Sequence, residues 1–179
     1  MENSAVASEI DPLLEESDRG SVIVAAALLD SLLARYLSTV MKSNGLSNRY
    51  SVKVLDGNGP LGSFSARAQI ARGFSLINED IFHDLMVIRK LRNEFAHVHM
   101  HCSFSDKKVV AQIQSMRFYQ ARNKHERKKG EILIGELISN SVHFKQAFCL
   151  IIKDIHIGIL ESQCRYFNIS FDHLGAWPK

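Results

Sequence analysis

A cluster of polar residues near the middle of the chain has the residue types that acid–base and phosphate chemistry require. Arg92, Asn93 and His97 lie at the end of the stretch Phe82 to His97, which has the sequence FHDLMVIRKLRNEFAH. An imidazole can act as an acid or a base, and a guanidinium can stabilise a developing negative charge. The cluster is therefore either a functional site or a buried polar contact that joins two helices.

The same stretch predicts an amphipathic helix that positions these side chains. Its apolar residues recur at spacings of three and four: Ile81, Leu85, Ile88, Leu91 and Phe95. Asn78, which precedes two acidic residues, is a favourable N-cap. On an ideal helix Arg92 lies about 40° from Ile88, inside the apolar stripe, and about 140° from His97. We therefore predict that Arg92 is buried and needs a carboxylate or carbonyl partner from another helix.

A second predicted helix, from Ser21 to Lys42, would supply that partner. The run is apolar on nearly all sides, which is typical of a helix at the centre of a core. Asp30 is the acidic exception within it, and Asp18 lies just ahead of it. We predict a structural ion-pair network in which Asp30 or Asp18 binds Arg92 or Arg67.

Three histidines that follow the predicted helix could suggest a metal site. His97, His99 and His101 alternate, and Cys102 comes next. Imidazole and thiolate are good zinc ligands, but no nearby carboxylate or second cysteine completes a ligand set. We interpret these side chains as solvated or packed, and we expect neither a metal nor a cofactor. The cysteines are three in number, far apart and without a CxxC pair, which indicates a reducing compartment.

The segment RFYQARNKHERKK, from Arg117 to Lys129, is the most basic part of the chain. A patch that contacts phosphates would have this composition, and so would a solvated helix end. The net charge of +3 is too small to identify a nucleic-acid binder by itself. The candidate nucleic-acid-binding residues are Arg117, Arg122, Lys124, Arg127, Lys128 and Lys129.

The totals favour a single domain, and the helical patterns along the chain predict an all-α bundle of five to seven helices. A chain of 179 residues with 46% hydrophobic residues can bury a core without disulfides. We expect a flexible N-terminus over residues 1–9, a helical domain over 10–167 and a C-terminal tail over 168–179. The apolar-rich stretch from Ile132 to Phe167 predicts one long C-terminal helix, or two with a break near Gly158. This part of the chain caps the bundle or forms a subunit interface, and a homodimer is expected.

Further expectations come from individual features of the sequence. The longest apolar run, Val22 to Leu29, is much shorter than the roughly 20 residues of a membrane span, so we predict no membrane contact. The few, scattered cysteines and the lack of a signal peptide predict a cytoplasmic protein. The segment SVKVL, residues 51–55, is predicted to be a short strand or an extended connection. Trp177 in the tail would be costly to leave in water, so we expect it to dock on the body or on a second chain.

Three sequence blocks, taken together and in order, resemble the mannitol operon repressor (MtlR-like) family of bacterial transcription regulators. They are ESDRGSVIVAAALLDSLL at Glu16 to Leu33, GPLGSFSARAQIA at Gly59 to Ala71, and IRKLRNEFAH at Ile88 to His97. The resemblance covers roughly Ile10 to Asp106. It implies an all-helical fold without a helix-turn-helix, and a non-enzymatic transcriptional regulator that acts on DNA or through a regulatory protein partner.

The segment RNEFAH also resembles the Arg-x4-His motif of HEPN-type helical domains, many of which are metal-independent ribonucleases that act as dimers. In this alternative the chain is an endoribonuclease with RNA as its substrate. His97 is the acid or base, Arg92 stabilises the charge on the phosphate, and Asn93 orients the substrate. The structural interpretation of the same residues is a salt-bridged Arg92 and a helix end capped by Asn93 or His97.

Overall fold

The computed structural model describes residues 12–97, 102–129 and 141–170, and within these ranges the chain is helical without strands. The predicted all-α class with a long C-terminal helix is confirmed. The described helices number eight rather than five to seven, because one is a single turn and because Met116 is extended and separates two others. They are α1 Pro12–Glu15, α2 Asp18–Ser43, α3 Asn48–Leu55, α4 Phe64–Gly73, α5 Glu79–Ala96, α6 Lys107–Ser115, α7 Arg117–Lys129 and α8 Ser141–Phe167.

Some predictions concern residues outside the described ranges. They are the flexible N-terminus over residues 1–9, the candidate metal ligands His99 and His101, and the docking of Trp177. The side chains of three basic candidates also lie outside the description: Arg127, Lys128 and Lys129. The predictions that rest on them stay predictions.

Helix α2 is the centre of the bundle. It packs against α1, α3, α4, α5 and α8 and buries apolar side chains on several faces, as its sequence predicted. Among the described helices α2 alone is long and apolar enough to cross a membrane by length and composition. Half of its most apolar 18-residue window is nevertheless buried against the rest of the fold. A core helix of a helical bundle has this property.

The N-terminal ends of α2 to α5 are each capped by a side-chain oxygen. The predicted cap Asn78 is confirmed, because its Oδ1 accepts a hydrogen bond from the Ile81 N–H over 2.9 Å. Serines cap the other three helices in the same way: Ser17, Ser47 and Ser63. Each cap satisfies a backbone N–H that has no partner within its helix.

The segment SVKVL is helical, and the prediction of a strand or an extended connection is wrong. It forms most of α3, where Ser51 and Leu55 are buried one turn apart while Val52 is exposed. In the described part of the chain no strand is available to pair with it, so its backbone hydrogen bonds are satisfied within a helix. The loop after α3 is tight, since a Cβ at Gly59 would collide with the carbonyl oxygens of Lys53 and Val54.

Helix α8 runs without a break through Gly158, where a Cβ would lie 3.1 Å from Ile81 Cδ1 of α5. It ends in a Schellman motif. Asn168 adopts a positive φ of 53°, its N–H donates to the Arg165 carbonyl, and the Ile169 N–H donates to the Cys164 carbonyl over 3.0 Å. The chain therefore reverses direction at the end of the helix and turns back beside α8.

Candidate functional site

The C-terminal half of α5 presents an exposed polar and basic surface. We define the α5 surface as Arg89, Lys90, Arg92, Asn93 and His97, all of which are exposed. Arg92 Nη1 donates to Asn93 Oδ1 over 3.2 Å, so these two side chains lie together. In the described part of the chain none of the three cations forms an ion pair with an acid. The end of α5 therefore carries three exposed positive charges.

The prediction that Arg92 is buried and paired with an acid is wrong. The buried apolar residues of α5 include a seven-residue repeat, Ile81, Ile88 and Phe95, with Leu85 between the first two and Leu91 between the last two. A straight helix advances 3.6 residues per turn, so a seven-residue repeat drifts by about 20° per heptad around its surface. The buried stripe drifts away from Arg92 toward Leu91 and Phe95, and the guanidinium is left at its exposed edge.

Among the described residues, the buried guanidinium belongs to Arg67 of α4. Its Nη1 pairs with Asp30 Oδ1 of α2 over 2.5 Å, and the side chain is only 10% exposed. Its Nε donates to the Leu61 carbonyl over 2.8 Å and its Nη2 to the Leu55 carbonyl over 2.7 Å. Arg67 thus holds α2, α4 and the loop between α3 and α4 together. Of the four residues assigned to one network, the structure brings together only Arg67 and Asp30.

Asp18 has a different partner from the one predicted. Its Oδ2 accepts a hydrogen bond from the Phe104 backbone N–H over 3.0 Å, whereas the neighbouring Arg19 donates from Nη2 to the His97 carbonyl over 3.1 Å. The start of α2 is therefore joined to the chain on both sides of residues 98–101. These contacts fix where α5 ends and hence where its surface lies.

His97 lies at the C-terminal end of α5, close to the exposed side chains of Arg92 and Asn93. His97 is the C-cap of α5 with φ −70° and ψ 113°, so the helix ends at Ala96. Its side chain and those of Arg92 and Asn93 reach solvent. Of the structural interpretation, the salt bridge of Arg92 is wrong among the described residues, whereas the capping position of His97 is confirmed. All three side chains are exposed.

Glu94 lies on the other side of α5 and is held by α6. Lys108 Nζ lies 2.9 Å from Glu94 Oε1, and Gln112 Nε2 donates to both carboxylate oxygens. Burial acts to raise the pKa of Glu94, but the hydrogen bonds from Lys108 and Gln112 outweigh it and lower the pKa. The carboxylate is thus stabilised as an anion that joins α5 to α6.

The basic segment forms α7, which packs against α5, α6 and α8 rather than standing clear of the bundle. Arg122 is not available as assigned, because its guanidinium makes a two-point ion pair with Asp154 of α8. Both Arg117 and Lys124 are exposed. The two-point pair joins α7 to α8, and of the candidates whose side chains are described it leaves Arg117 and Lys124 exposed.

Sequence reasoning missed Asp84, which is fully buried in α5. Its carboxylate accepts hydrogen bonds from the Arg117 N–H over 2.7 Å and the Phe118 N–H over 3.0 Å, and it contacts His83 Nδ1 at 2.8 Å. It therefore caps the first turn of α7 from another helix. The available signal was its spacing, since Asp84 lies three residues after Ile81 within the apolar stripe.

Metal binding has no support among the described residues. Within them no group of three or more His, Cys, Asp or Glu side chains is arranged to hold an ion. Cys102 is half-buried, with its thiol 3.8 Å from the Glu94 carbonyl oxygen. Two cavities lie along α8, and neither is lined by a residue of the α5 surface.

Comparison with known proteins identifies relatives of the chain. The family model of MtlR, described as mannitol repressor, matches residues 9–139. The mannitol operon repressors of Escherichia coli K12 and of Escherichia coli O6:H1 are each 29% identical over 93 residues, which are 51% of this chain and 48% of the relative. The chain thus spans about half the length of the curated relatives it matches.

Two solved structures share the fold. The X-ray structure of the MtlR–HPr complex from Escherichia coli matches with a TM-score of 0.64 and 18% identity, covering 85% of this chain and 98% of that chain. The crystal structure of a possible transcriptional regulator, YggD, from Shigella flexneri matches with a TM-score of 0.56 and 12% identity, covering 89% and 97%. Because the family match over residues 9–139 contains α1 to α7 in full, this chain belongs to the mannitol repressor (MtlR) family.

Proposed function

We propose that this chain is a transcriptional regulator of the mannitol repressor type, which has no chemistry of its own and acts on DNA or through a protein partner. The observation that carries the proposal is the family match over residues 9–139. The names of the curated relatives, both mannitol operon repressors, support it.

We infer that the α5 surface is the contact region. Arg89, Lys90 and Arg92 place three exposed cations within four residues, whereas Arg122 of α7 is already paired with Asp154. A cluster of exposed like charges attracts a partner of opposite charge and accelerates the encounter. DNA phosphates or the acidic surface of a protein would both satisfy it.

A protein partner is supported by the solved relatives. One structure that shares this fold is of an MtlR–HPr complex. HPr from the same cell is therefore the first protein partner to test. Titration calorimetry with purified HPr should give saturable binding to this chain.

Direct DNA binding is tested by a gel shift with the region upstream of the protein's own gene, over a series of salt concentrations. A double variant, Arg89→Glu with Arg92→Glu, removes two cations of the α5 surface. If both contact phosphates, it should weaken binding and reduce the slope of log K against log salt by about two. The matched control is Lys42→Glu with Lys53→Glu, which makes the same charge change at exposed positions of α2 and α3.

The outcomes separate the routes of action. If the α5 variant abolishes binding to DNA or to HPr and the control does not, the contact region is supported. If the control weakens binding as much as the α5 variant does, the contact lies elsewhere. If the chain binds neither DNA at low salt nor HPr, both direct DNA binding and action through HPr are contradicted.

The ribonuclease alternative is favoured by one observation, which is that Arg92, Asn93 and His97 are all exposed at the end of α5. His97 would exchange the proton and Arg92 would stabilise the charge on the phosphate. Incubation with RNA, in parallel with a His97→Ala variant, tests this function. Equal activity of the two proteins removes the assignment.

Other features of the proposal stay predictions from the sequence. They are homodimer formation, a cytoplasmic location without membrane contact, and division of the chain into a helical domain over residues 10–167 and a tail over 168–179. Light scattering over a range of protein concentrations tests the dimer. Limited proteolysis, followed by mass measurement of the stable fragment, tests the boundaries.

A further inference from the structure

A trough runs along α8 close to the point where the described chain ends. It consists of two cavities, of about 290 Å³ and about 520 Å³, which share Glu161 and Arg165. We call it the α8 trough. Ile81, Phe118 and Ile157 contribute apolar walls to the smaller cavity, and the two shared side chains are charged and exposed. Asn78 and Asp154 also line the smaller cavity, so its lining is mixed. A lining of apolar and polar groups together suits an amphipathic side chain.

The backbone directs the following segment toward the trough. The Schellman motif at Asn168 turns the chain back beside α8, and Ile169 itself lines the larger cavity together with Cys164. A helix end that continued outward would carry the tail into solvent. This one places the last described residues, Ile169 and Ser170, at the surface that contains the trough.

The tail has the length and the side chain that the trough requires. Trp177 follows Ser170 by seven residues, which can span up to about 24 Å when extended. Along α8 the trough extends from Asp154 to Asn168, which is about 21 Å of helix. An indole buries a large apolar area and needs an acceptor for its N–H.

We propose that the C-terminal segment Phe171–Lys179 docks in the α8 trough of its own chain, with the Trp177 indole against the apolar wall. The Glu161 carboxylate would accept the indole N–H. The Arg165 guanidinium would lie over the ring, where a cation is attracted by the π-electron face. The tail then completes the packed surface of α8.

The sequence supplies a convenient probe, because Trp177 is the single tryptophan of the chain. Its fluorescence in the full-length protein reports on this site without interference from other indoles. Compared with a free peptide of residues 171–179, the full-length protein should show blue-shifted emission and quenching by acrylamide that is several-fold weaker. Both values should be independent of protein concentration.

Two substitutions at the turn test the direction of the chain. Asn168→Val places a β-branched residue at a positive φ and should disrupt the turn, whereas Asn168→Gly keeps that conformation and is the matched control. The valine variant should shift the emission toward that of the free peptide, and the glycine variant should not. Ile157→Asp tests the trough wall directly, with circular dichroism confirming that each variant is folded.

Three results would overturn the proposal. One is emission and quenching in the full-length protein equal to those of the free peptide. Another is a shielded indole that becomes exposed on dilution, which would assign Trp177 to a second copy of the chain. The third is a shielded indole that neither Asn168→Val nor Ile157→Asp affects, which would place the tail elsewhere on the body.

Discussion

Replacement of Arg67 should be among the most destabilising single changes in this protein. The side chain is only 10% exposed and holds three acceptors: the Asp30 carboxylate and the carbonyls of Leu55 and Leu61. Arg67→Ala removes all of these contacts at once. It leaves two backbone carbonyls and a carboxylate that have lost their donor.

The expected loss of unfolding free energy follows from how exposed each partner of Arg67 is. Hydrogen bonds that involve a charged group contribute about 1.5–3 kcal/mol each, and an exposed ion pair about 1 kcal/mol or less. The Asp30 side chain is 31% exposed, so water can replace part of its interaction with Arg67. We therefore expect Arg67→Ala to lower the free energy of unfolding by about 3–5 kcal/mol, the range typical of a broken buried pair. Asp30→Asn should cost only about 1–2 kcal/mol, because the two carbonyl contacts remain.

Urea unfolding followed by far-ultraviolet circular dichroism measures both variants. Arg72→Ala is the matched control, because Arg72 lies on the same helix and pairs with Glu79 while the two side chains are 40% and 66% exposed. The control should change stability by less than about 1 kcal/mol. The reasoning is refuted if Arg67→Ala costs no more than the control, or if Asp30→Asn costs as much as Arg67→Ala.

Two further predictions concern contacts between α5 and its neighbours. Asp84→Ala should lower the free energy of unfolding by about 2–4 kcal/mol, because the Arg117 and Phe118 N–H groups lose a buried acceptor. Asp84→Asn keeps an acceptor and should lower it less. Urea unfolding and amide exchange at the two N–H groups measure both effects. The pKa of Glu94 is lowered in the folded state, so its contribution to stability is present above its ordinary pKa of 4.5 and is lost as the pH falls through the lowered value. Lys108→Ala should reduce this acid-dependent loss in unfolding experiments across that range, and an unchanged pH dependence would contradict the assignment.

The α5 helix illustrates how far a pattern of residues can be interpreted. The apolar spacing predicted the helix, and Asn78 predicted where it begins, because both depend on local geometry and on hydrogen bonds within a few residues. The exposure of Arg92 was decided by the drift of the buried stripe. That drift depends on which helices pack against α5 and at what angle.

The acidic side chains show the same difference between what the local sequence predicts and what helix packing decides. Asp30 was expected to bind either of two arginines, and its partner proved to be Arg67, because the loop after α3 brings the Leu55 and Leu61 carbonyls to that guanidinium. Asp84 caps a helix that begins 33 residues later in the chain. A contact of this kind has no local signature, since spacing along one helix does not specify the end of another.

By itself the sequence determined that this protein is an all-α bundle with a long C-terminal helix, and its three ordered blocks indicated the MtlR family. Apolar periodicity and capping act over one or two helical turns, so they can be interpreted without coordinates. The tertiary structure alone decided which guanidinium is buried, which basic residues are already paired and which face of α5 reaches solvent. Those properties depend on the desolvation of charged groups by distant parts of the chain, and desolvation is set only when the helices pack.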